Sequence, residues 1–327
     1  MMGAVMRAMQ VTALGAPLAA AEVPVPVPGP SEVLIRVRAC GLNFADTLMA
    51  AGKYQVRPPL PFSPGVEVAG VVEALGPGAV GPPVGTRVAA YAGYGGLAER
   101  VVVPAARCAV VPEAMPDTVA AGFLVAYGTS HVALAWCAKL RPGETLLVLG
   151  ASGGVGLTAV ELGRLMGARV IAVARGAERL VIARAAGAHV LLDTSADLRA
   201  EVKALGGADV VYDPVGGELA EAALRATKAR ARILPIGFAS GEVPRYPANL
   251  LLVKDLSVLG LHFGAWAEHS PAVVRESFET LFAWWRLGRL APHVSHVLPL
   301  AEAEAGLDLL RRRQATGKVV VEIGPNA

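Results

Sequence analysis

Cysteine is scarce in this 327-residue chain: Cys40, Cys108 and Cys137 stand far apart, with no CxxC spacing between them. That excludes a disulfide framework and a local zinc knuckle, and it suits a reducing, cytoplasmic setting. An excess of one charge is also missing. The formal charge is +3, and no run of like charges is longer than three residues, which gives no electrostatic reason to expect nucleic acid as a partner. Membrane-type apolar runs are lacking as well. Residues 118–138 carry no formal charge over a spanning length, yet Gly122, Tyr127, Gly128, Thr129, Ser130 and His131 interrupt them, so they read as buried helix. Arg7 and the Ala-rich run to Ala21 imitate a secretory leader until Gln10, Thr12, Gly15 and Pro17 break it. Aromatics make up only 5% of residues while hydrophobic residues reach 54%, so Ala, Val, Leu and Gly must fill the interior. Such a composition suits a tightly packed α/β protein with parallel strands buried on both faces.

The length is about twice that of a typical domain, which predicts two lobes. In the first third, short β-rich runs at Met6–Leu14, Glu32–Ala39, Val66–Ala74, Thr86–Tyr91 and Leu97–Pro104 are punctuated by Pro and Gly, the texture of a compact β domain. From Thr145 the pattern alternates. Strands are expected at Thr145–Leu149, Arg169–Ala174, His189–Leu192, Ala208–Tyr212, Ala231–Ile236 and Leu256–Leu261. Helices are expected between them at Val155–Met166, Ala177–Ala186, Ala196–Leu205 and Glu218–Thr227. Gly167, Gly187 and Gly206 follow three of these helices, where a left-handed cap favours a residue without Cβ. The alternation predicts a parallel, doubly wound sheet. The tail, with helices at Pro271–Leu287 and Ala301–Gln314 and a strand at Lys318–Ile323, has a different pattern and is expected to return to the first lobe.

The chemistry-bearing signal with most context is Leu146-Leu147-Val148-Leu149-Gly150-Ala151-Ser152-Gly153-Gly154-Val155-Gly156, an apolar strand running through a Gly-rich turn into a helix. Gly150 allows the tight turn, Gly153 and Gly154 let the backbone approach a pyrophosphate, and Gly156 lets helix and strand pack closely. The N–H groups that open the helix, at Val155 and its neighbours, would face the phosphates, and Ser152 would add a hydroxyl. An NAD-binding chain usually ends its second strand with an acid for the ribose 2′-hydroxyl. Here Ala174-Arg175 stands in that place, with Arg179 one helical turn on, and two guanidinium groups suit the 2′-phosphate of NADPH.

Ala39-Cys40-Gly41-Leu42-Asn43-Phe44-Ala45-Asp46, Gly52-Lys53-Tyr54 and Pro64-Gly65-Val66-Glu67-Val68-Ala69-Gly70 precede this turn, and Asp209-Val210-Val211-Tyr212-Asp213-Pro214-Val215-Gly216-Gly217 and Thr316-Gly317-Lys318-Val319-Val320 follow it. Together, and over nearly the whole chain, they resemble the medium-chain dehydrogenase/reductase superfamily in its zeta-crystallin-like quinone oxidoreductase branch. The resemblance implies an α/β protein with a GroES-like catalytic domain (1–122 and 266–327) around a Rossmann domain (123–265), a cleft where nicotinamide meets substrate, and a homodimer paired through its sheet edges. In zinc members a Cys ligand stands where this chain has Asn43, and a His ligand where it has Val66. Neither is present, so no metal is expected.

Without Lewis-acid help the substrate must accept hydride by itself, as quinones and conjugated carbonyls do. The resemblance therefore implies NADPH:quinone reduction. The alternatives are an enone or enoyl-thioester reductase and a non-catalytic NADPH- or RNA-binding relative. Asn43 and Tyr54 match pocket positions of the family, Asn43 to position nicotinamide or substrate and Tyr54 to donate a proton or hydrogen bond. Asp46 is the third catalytic candidate, with a brace for backbone N–H groups as its other reading. Thr129 and Phe238 fall near the cofactor; His131 reads as packing, and His262 as a pocket candidate. Met49-Ala50-Ala51 replaces a stretch where relatives often carry Arg, and Thr194 a tyrosine that often flanks the adenine.

Overall fold

The computed structural model describes residues 4–324. These form two units: the chain up to Val125 with Phe278–Arg286 and everything from Pro292, and Ala126–Ser277 with Leu287–Ala291.

In the first unit an antiparallel sheet is organised around the strand Glu32–Leu42, which pairs with Glu67–Leu75, Arg100–Pro104 and Lys318–Glu322. Beyond Glu67–Leu75 the sheet continues through Arg87–Tyr91 to Cys108–Val110, and beyond Lys318–Glu322 to Val294–Pro299, its one parallel neighbour. Register shifts at Leu34/Ile35 and Val37/Ala39 let the central strand bend while serving three partners. Val33, Ile35, Val37, Val68, Val88, Leu97, Val319 and Val321 meet in one buried cluster. Each such side chain contributes roughly 1.5–3 kcal/mol when fully buried, which is how β-branched residues hold a sheet rich in glycine together. The tail does return to the first lobe, through its last two strands. The two ends of the leader-like stretch from Arg7 to Ala21 lie in an antiparallel pair, Val5–Gln10 with Ala19–Pro24, whose second strand has no clear pattern in the sequence.

The second unit holds the parallel sheet. In chain order its strands are Thr145–Leu149, Arg169–Ala174, Val190–Asp193, Ala208–Asp213, Thr227–Pro235 and Ser257–Val258. They lie side by side in the order third, second, first, fourth, fifth, sixth, every neighbour parallel. This is the doubly wound order, with its switch point between Thr145–Leu149 and Ala208–Asp213. The helices Gly154–Leu165, Ala177–Ala185, Leu198–Ala204 and Gly217–Arg225 fall within two residues of expectation. Three elements differ, the first being the fifth strand, Thr227–Pro235, which starts four residues ahead of the expected Ala231. The last strand is two residues long, where six were expected at Leu256–Leu261, because the chain leaves the sheet after Leu259 and enters the helix Phe263–His269. A further helix, Ala248–Lys254, occupies an apolar run between Pro247 and Asp255, the latter in left-handed backbone. Residues 118–138 break into the helices Asp117–Ala121 and Leu124–His131 and a π-turn segment Val132–Cys137. Among the described residues no helix is long and apolar enough to cross a membrane.

Candidate active site

At the switch point of the parallel sheet, the strand Thr145–Leu149 is buried at every residue and ends on Gly150, whose φ of +59° is the left-handed turn that glycine permits. The turn closes through Gly153 N–H donating to Gly150 O (3.0 Å) and Ala151 N–H to Val173 O (2.9 Å). A Cβ on Gly156 would lie 2.2 Å from Gly150 O, so only glycine lets the helix come this close to the strand end. On Gly153 a Cβ would meet nothing nearer than 3.4 Å, which leaves open space over the turn. Within the helix, Leu157 N–H donates to Gly153 O (2.8 Å), so the N–H groups of Gly154, Val155 and Gly156 precede the first intrahelical bond. They and the helix dipole form a seat for an anion. Ser152 is buried inside the turn.

The second strand ends at Ala174, and Arg175 beyond it is exposed while Arg179 is half-buried in the helix Ala177–Ala185. Partial burial and the neighbouring Arg175 charge both lower the Arg179 pKa, so the two guanidinium groups repel each other in a spot that a phosphate would relieve. Asp193, at the end of the third strand, accepts from Gly176 N–H (2.6 Å) and from the Ser195 N–H (2.9 Å) and hydroxyl (2.8 Å). These bonds hold its carboxyl below the usual range and fix the loop that carries Arg175. The residues fit a phosphorylated dinucleotide.

The first unit gathers the other candidates. Asn43 caps the helix Phe44–Ala50, yet its side chain faces a buried ion pair: Nδ2 donates to Gly41 O (3.1 Å) and Glu67 Oε1 (2.9 Å), and Oδ1 accepts from Lys318 Nζ (2.8 Å). Lys318 also donates to Leu42 O and Glu67 Oε1, both at 2.8 Å, and Glu67 Oε2 accepts from Val125 N–H (2.9 Å). Glu67 is 1% and Lys318 7% exposed. All three ammonium hydrogens therefore have acceptors out of water, as a buried charge requires. Asp46, fully buried, accepts from Asn43 N–H and Gly65 N–H, each at 2.8 Å. Burial raises its pKa to about 6 against the opposing effect of those bonds and of Lys318. This places Asp46 as a brace between the helix start and the Gly65 turn. Tyr54 lies half-buried against the core of this unit, and burial together with Tyr91 and Asp46 pushes its phenol up to about 12, so it stays a neutral donor.

Thr129 is buried on the helix Leu124–His131, and Phe238 is 40% exposed just past the fifth strand. His131 is buried, which lowers its pKa to about 4 and keeps the ring neutral, in line with packing. His262 is spent on capping a helix, its Nδ1 accepting from Ala265 N–H (3.3 Å). Sequence reasoning assigned no role to Glu67 or Lys318. Their signal was an acid leading the apolar run Val68–Val72 and a base leading the apolar run Val319–Val321, two charges that open otherwise buried stretches. It also passed over Asp213, whose Oδ1 accepts from Val215 N–H and Gly216 N–H (2.8 Å each) and shapes the turn beside Gly150.

The Alcohol dehydrogenase GroES-like domain family matches residues 29–113, and the Zinc-binding dehydrogenase family matches residues 154–281. A Quinone oxidoreductase-like protein 2 homolog of Nematostella vectensis is 39% identical over 90% of this chain and 82% of its own length. The chain belongs to the medium-chain dehydrogenase/reductase superfamily, in its quinone oxidoreductase branch. Among solved members, the quinone oxidoreductase of Thermus thermophilus, known also in complex with NADPH, is 38% identical with a TM-score of 0.85 over 97% of this chain and 100% of that one. A mycobacterial protein complexed with NADPH is 32% identical with a TM-score of 0.92 over the same shares. The two units are thus the GroES-like and Rossmann domains of this superfamily.

Zinc, which one family description carries, does not fit the donors of this member. Asn43 has its amide engaged on both sides, Val66 offers no ligand atom, and Glu67 is held by an ammonium group. No group of three or more His, Cys, Asp and Glu side chains suited to a metal comes together among the described residues.

Proposed function

We propose that this oxidoreductase is a zinc-independent, NADPH-dependent quinone reductase. The observation that carries the reading is the ammonium of Lys318 against Glu67 and Asn43, which leaves no ligand set for a metal that would polarise an alcohol or aldehyde. A substrate that delocalises added electrons onto its own oxygens needs no such metal, and a quinone is one. The named relatives and the two NADPH complexes support the same reading. Bound NADPH supplies the hydride. The chain's share is to seat the pyrophosphate on the turn Gly150–Gly156, with Thr129 and Phe238 beside the cofactor, and to hold the 2′-phosphate between Arg175 and Arg179. Tyr54, neutral at physiological pH, is the donor for the oxygen that becomes negative.

A homodimer belongs to the reading. Leu252 and Val253, 82% and 79% exposed on the helix beside the short last strand, offer an apolar surface that a second copy would cover.

The test is the loss of NADPH absorbance with a panel of quinones, 2-enones, an enoyl thioester and saturated aldehydes. Turnover with quinones far above the other acceptors is expected. Preference for enones yielding the saturated product would move the assignment to that chemistry, and tight NADPH binding with no turnover would end the enzymatic reading.

A further inference from the structure

Three hydroxyl groups are buried together beside the first turn of the helix Gly154–Leu165, all within the second unit. Tyr212, on the strand Ala208–Asp213 at the switch point, has its OH 2.8 Å from Ser130 Oγ. Ser130, on the helix Leu124–His131, lies 2.7 Å from Thr158 Oγ1 and 3.0 Å from Val155 O. Thr158 Oγ1 is itself 3.0 Å from Val155 O and 3.1 Å from Ala126 O.

Each hydroxyl has one hydrogen, and burial obliges that hydrogen to find an acceptor. Burial also holds the Tyr212 phenol well above its ordinary pKa, so it keeps its proton. Ser130 Oγ is its one hydrogen-bond partner among the described residues and therefore accepts from it. The Ser130 hydrogen must then point away from Tyr212, and the network has two exits, the carbonyls of Val155 and Ala126. Both Ser130 and Thr158 reach the first of these, and only Thr158 reaches the second. The Val155 carbonyl and the Gly156 N–H belong to one planar peptide group. A hydrogen bond accepted by that carbonyl fixes the plane and polarises the group, strengthening its N–H as a donor by about 10–30%. Gly156 N–H precedes the first intrahelical bond and is part of the anion seat.

We propose that Ser130 and Thr158 are positioning residues for the cofactor: by donating to the Val155 carbonyl they aim and strengthen the Gly156 N–H for the pyrophosphate of NADPH, with Tyr212 setting the direction of the relay. The inference rests on the reading above that the turn Gly150–Gly156 seats the pyrophosphate. It gives the buried hydroxyls a task beyond bracing. A brace alone would be dispensable, since replacing all partners of a buried hydrogen bond by apolar groups of similar shape is nearly neutral for stability.

Tyr212→Phe with Ser130→Ala and Thr158→Val removes the three hydroxyls and strands none, so the melting temperature should stay near that of the wild type. NADPH affinity, followed by fluorescence, should fall roughly threefold to tenfold, the scale of one lost hydrogen bond. Affinity for adenosine 2′-phosphate, which has no pyrophosphate, should hardly change. Tyr212→Phe alone leaves both donors to Val155 in place and should bind NADPH like the wild type. Unchanged NADPH affinity in the triple variant would overturn the proposal, and so would parallel losses for both ligands, which a loosened domain would produce.

NMR reads the peptide itself. Labelling valine at the carbonyl carbon and glycine at nitrogen selects the four Val-Gly peptides, those ending at Gly81, Gly85, Gly156 and Gly216. The Val155 carbonyl signal should move upfield in the triple variant while those of Val80 and Val84 hold still. Should that variant fail to fold, Ser130→Ala with Tyr212→Phe leaves Thr158 as the single donor and should show a smaller upfield shift. A Val155 signal that does not move in the variant that folds would overturn the proposal. In the wild type the Gly156 amide proton should move downfield when NADPH binds. No response there would end the phosphate seat and this inference with it, whereas a full response beside an unmoved Val155 carbonyl would end the inference and leave the seat standing.

Discussion

Asp46 gives up hydration on every side to join two backbone segments, and the consequence is a pH dependence of known sign. Its folded pKa of about 6 lies above the ordinary 3.8, so the native state binds the proton more tightly than the unfolded chain. The stability it contributes is complete below the unfolded value and is lost as pH rises through about 6, on the order of 3 kcal/mol for two pKa units. Urea unfolding from pH 4 to 7 should therefore show the wild type losing its advantage over Asp46→Asn as pH rises; an advantage that grows with pH would refute the raised value. At the other site, Arg175→Ala with Arg179→Ala removes charge-assisted bonds of about 1.5–3 kcal/mol each. NADPH affinity, followed by its fluorescence, should weaken by roughly tenfold or more while NADH affinity hardly changes; an equal loss for both would reject the 2′-phosphate assignment. The positions of these arginines, past the end of the second strand and inside the next helix, were legible in the sequence because they stand at a fixed distance from a Gly-rich turn. Lys318 and Glu67 were not, since their partnership joins residues 251 positions apart and only folding brings the two strands to one site.

Among elements, the alternation from Thr145 onward could be read because three of its four helices are closed by a residue that punctuates them: Gly167, Gly187 and Gly206 all adopt the left-handed backbone expected of them. Ala19–Pro24 was opaque for the opposite reason. Its alanines give little β signal, and alternate residues face solvent. The helix Ala248–Lys254 hides in Asn249-Leu250-Leu251-Leu252-Val253, an apolar run with no helical stripe, and the chain beyond it leaves the sheet too soon to form the expected long strand. The turn Gly150–Gly156 makes the element-scale prediction. Gly156→Ala sets a methyl against the Gly150 carbonyl at 2.2 Å, backbone against which nothing can rotate away. Overpacking of this kind costs typically about 1–3 kcal/mol. Calorimetry should show a lowered melting temperature, together with weakened NADPH binding as the helix start moves from the turn. Unchanged binding would mean the pyrophosphate does not sit there.

For the whole molecule, the proposed dimer predicts that the wild-type chain sediments at twice its chain mass and that Leu252→Glu with Val253→Glu converts it to a monomer; a monomeric wild type would leave those side chains as plain surface. A larger question is where the positive charge of the site comes from. On the proposed reading the chain supplies no ligand set for zinc at Asn43, Val66 and a Glu67 paired with Lys318, so that its acceptor would have to be self-activating. Quinone turnover by purified protein before and after exhaustive treatment with a zinc chelator, with bound metal quantified, tests it most directly. Undiminished NADPH-dependent turnover at substoichiometric zinc is the predicted result. Loss of turnover on chelation and its return with added zinc would contradict the account.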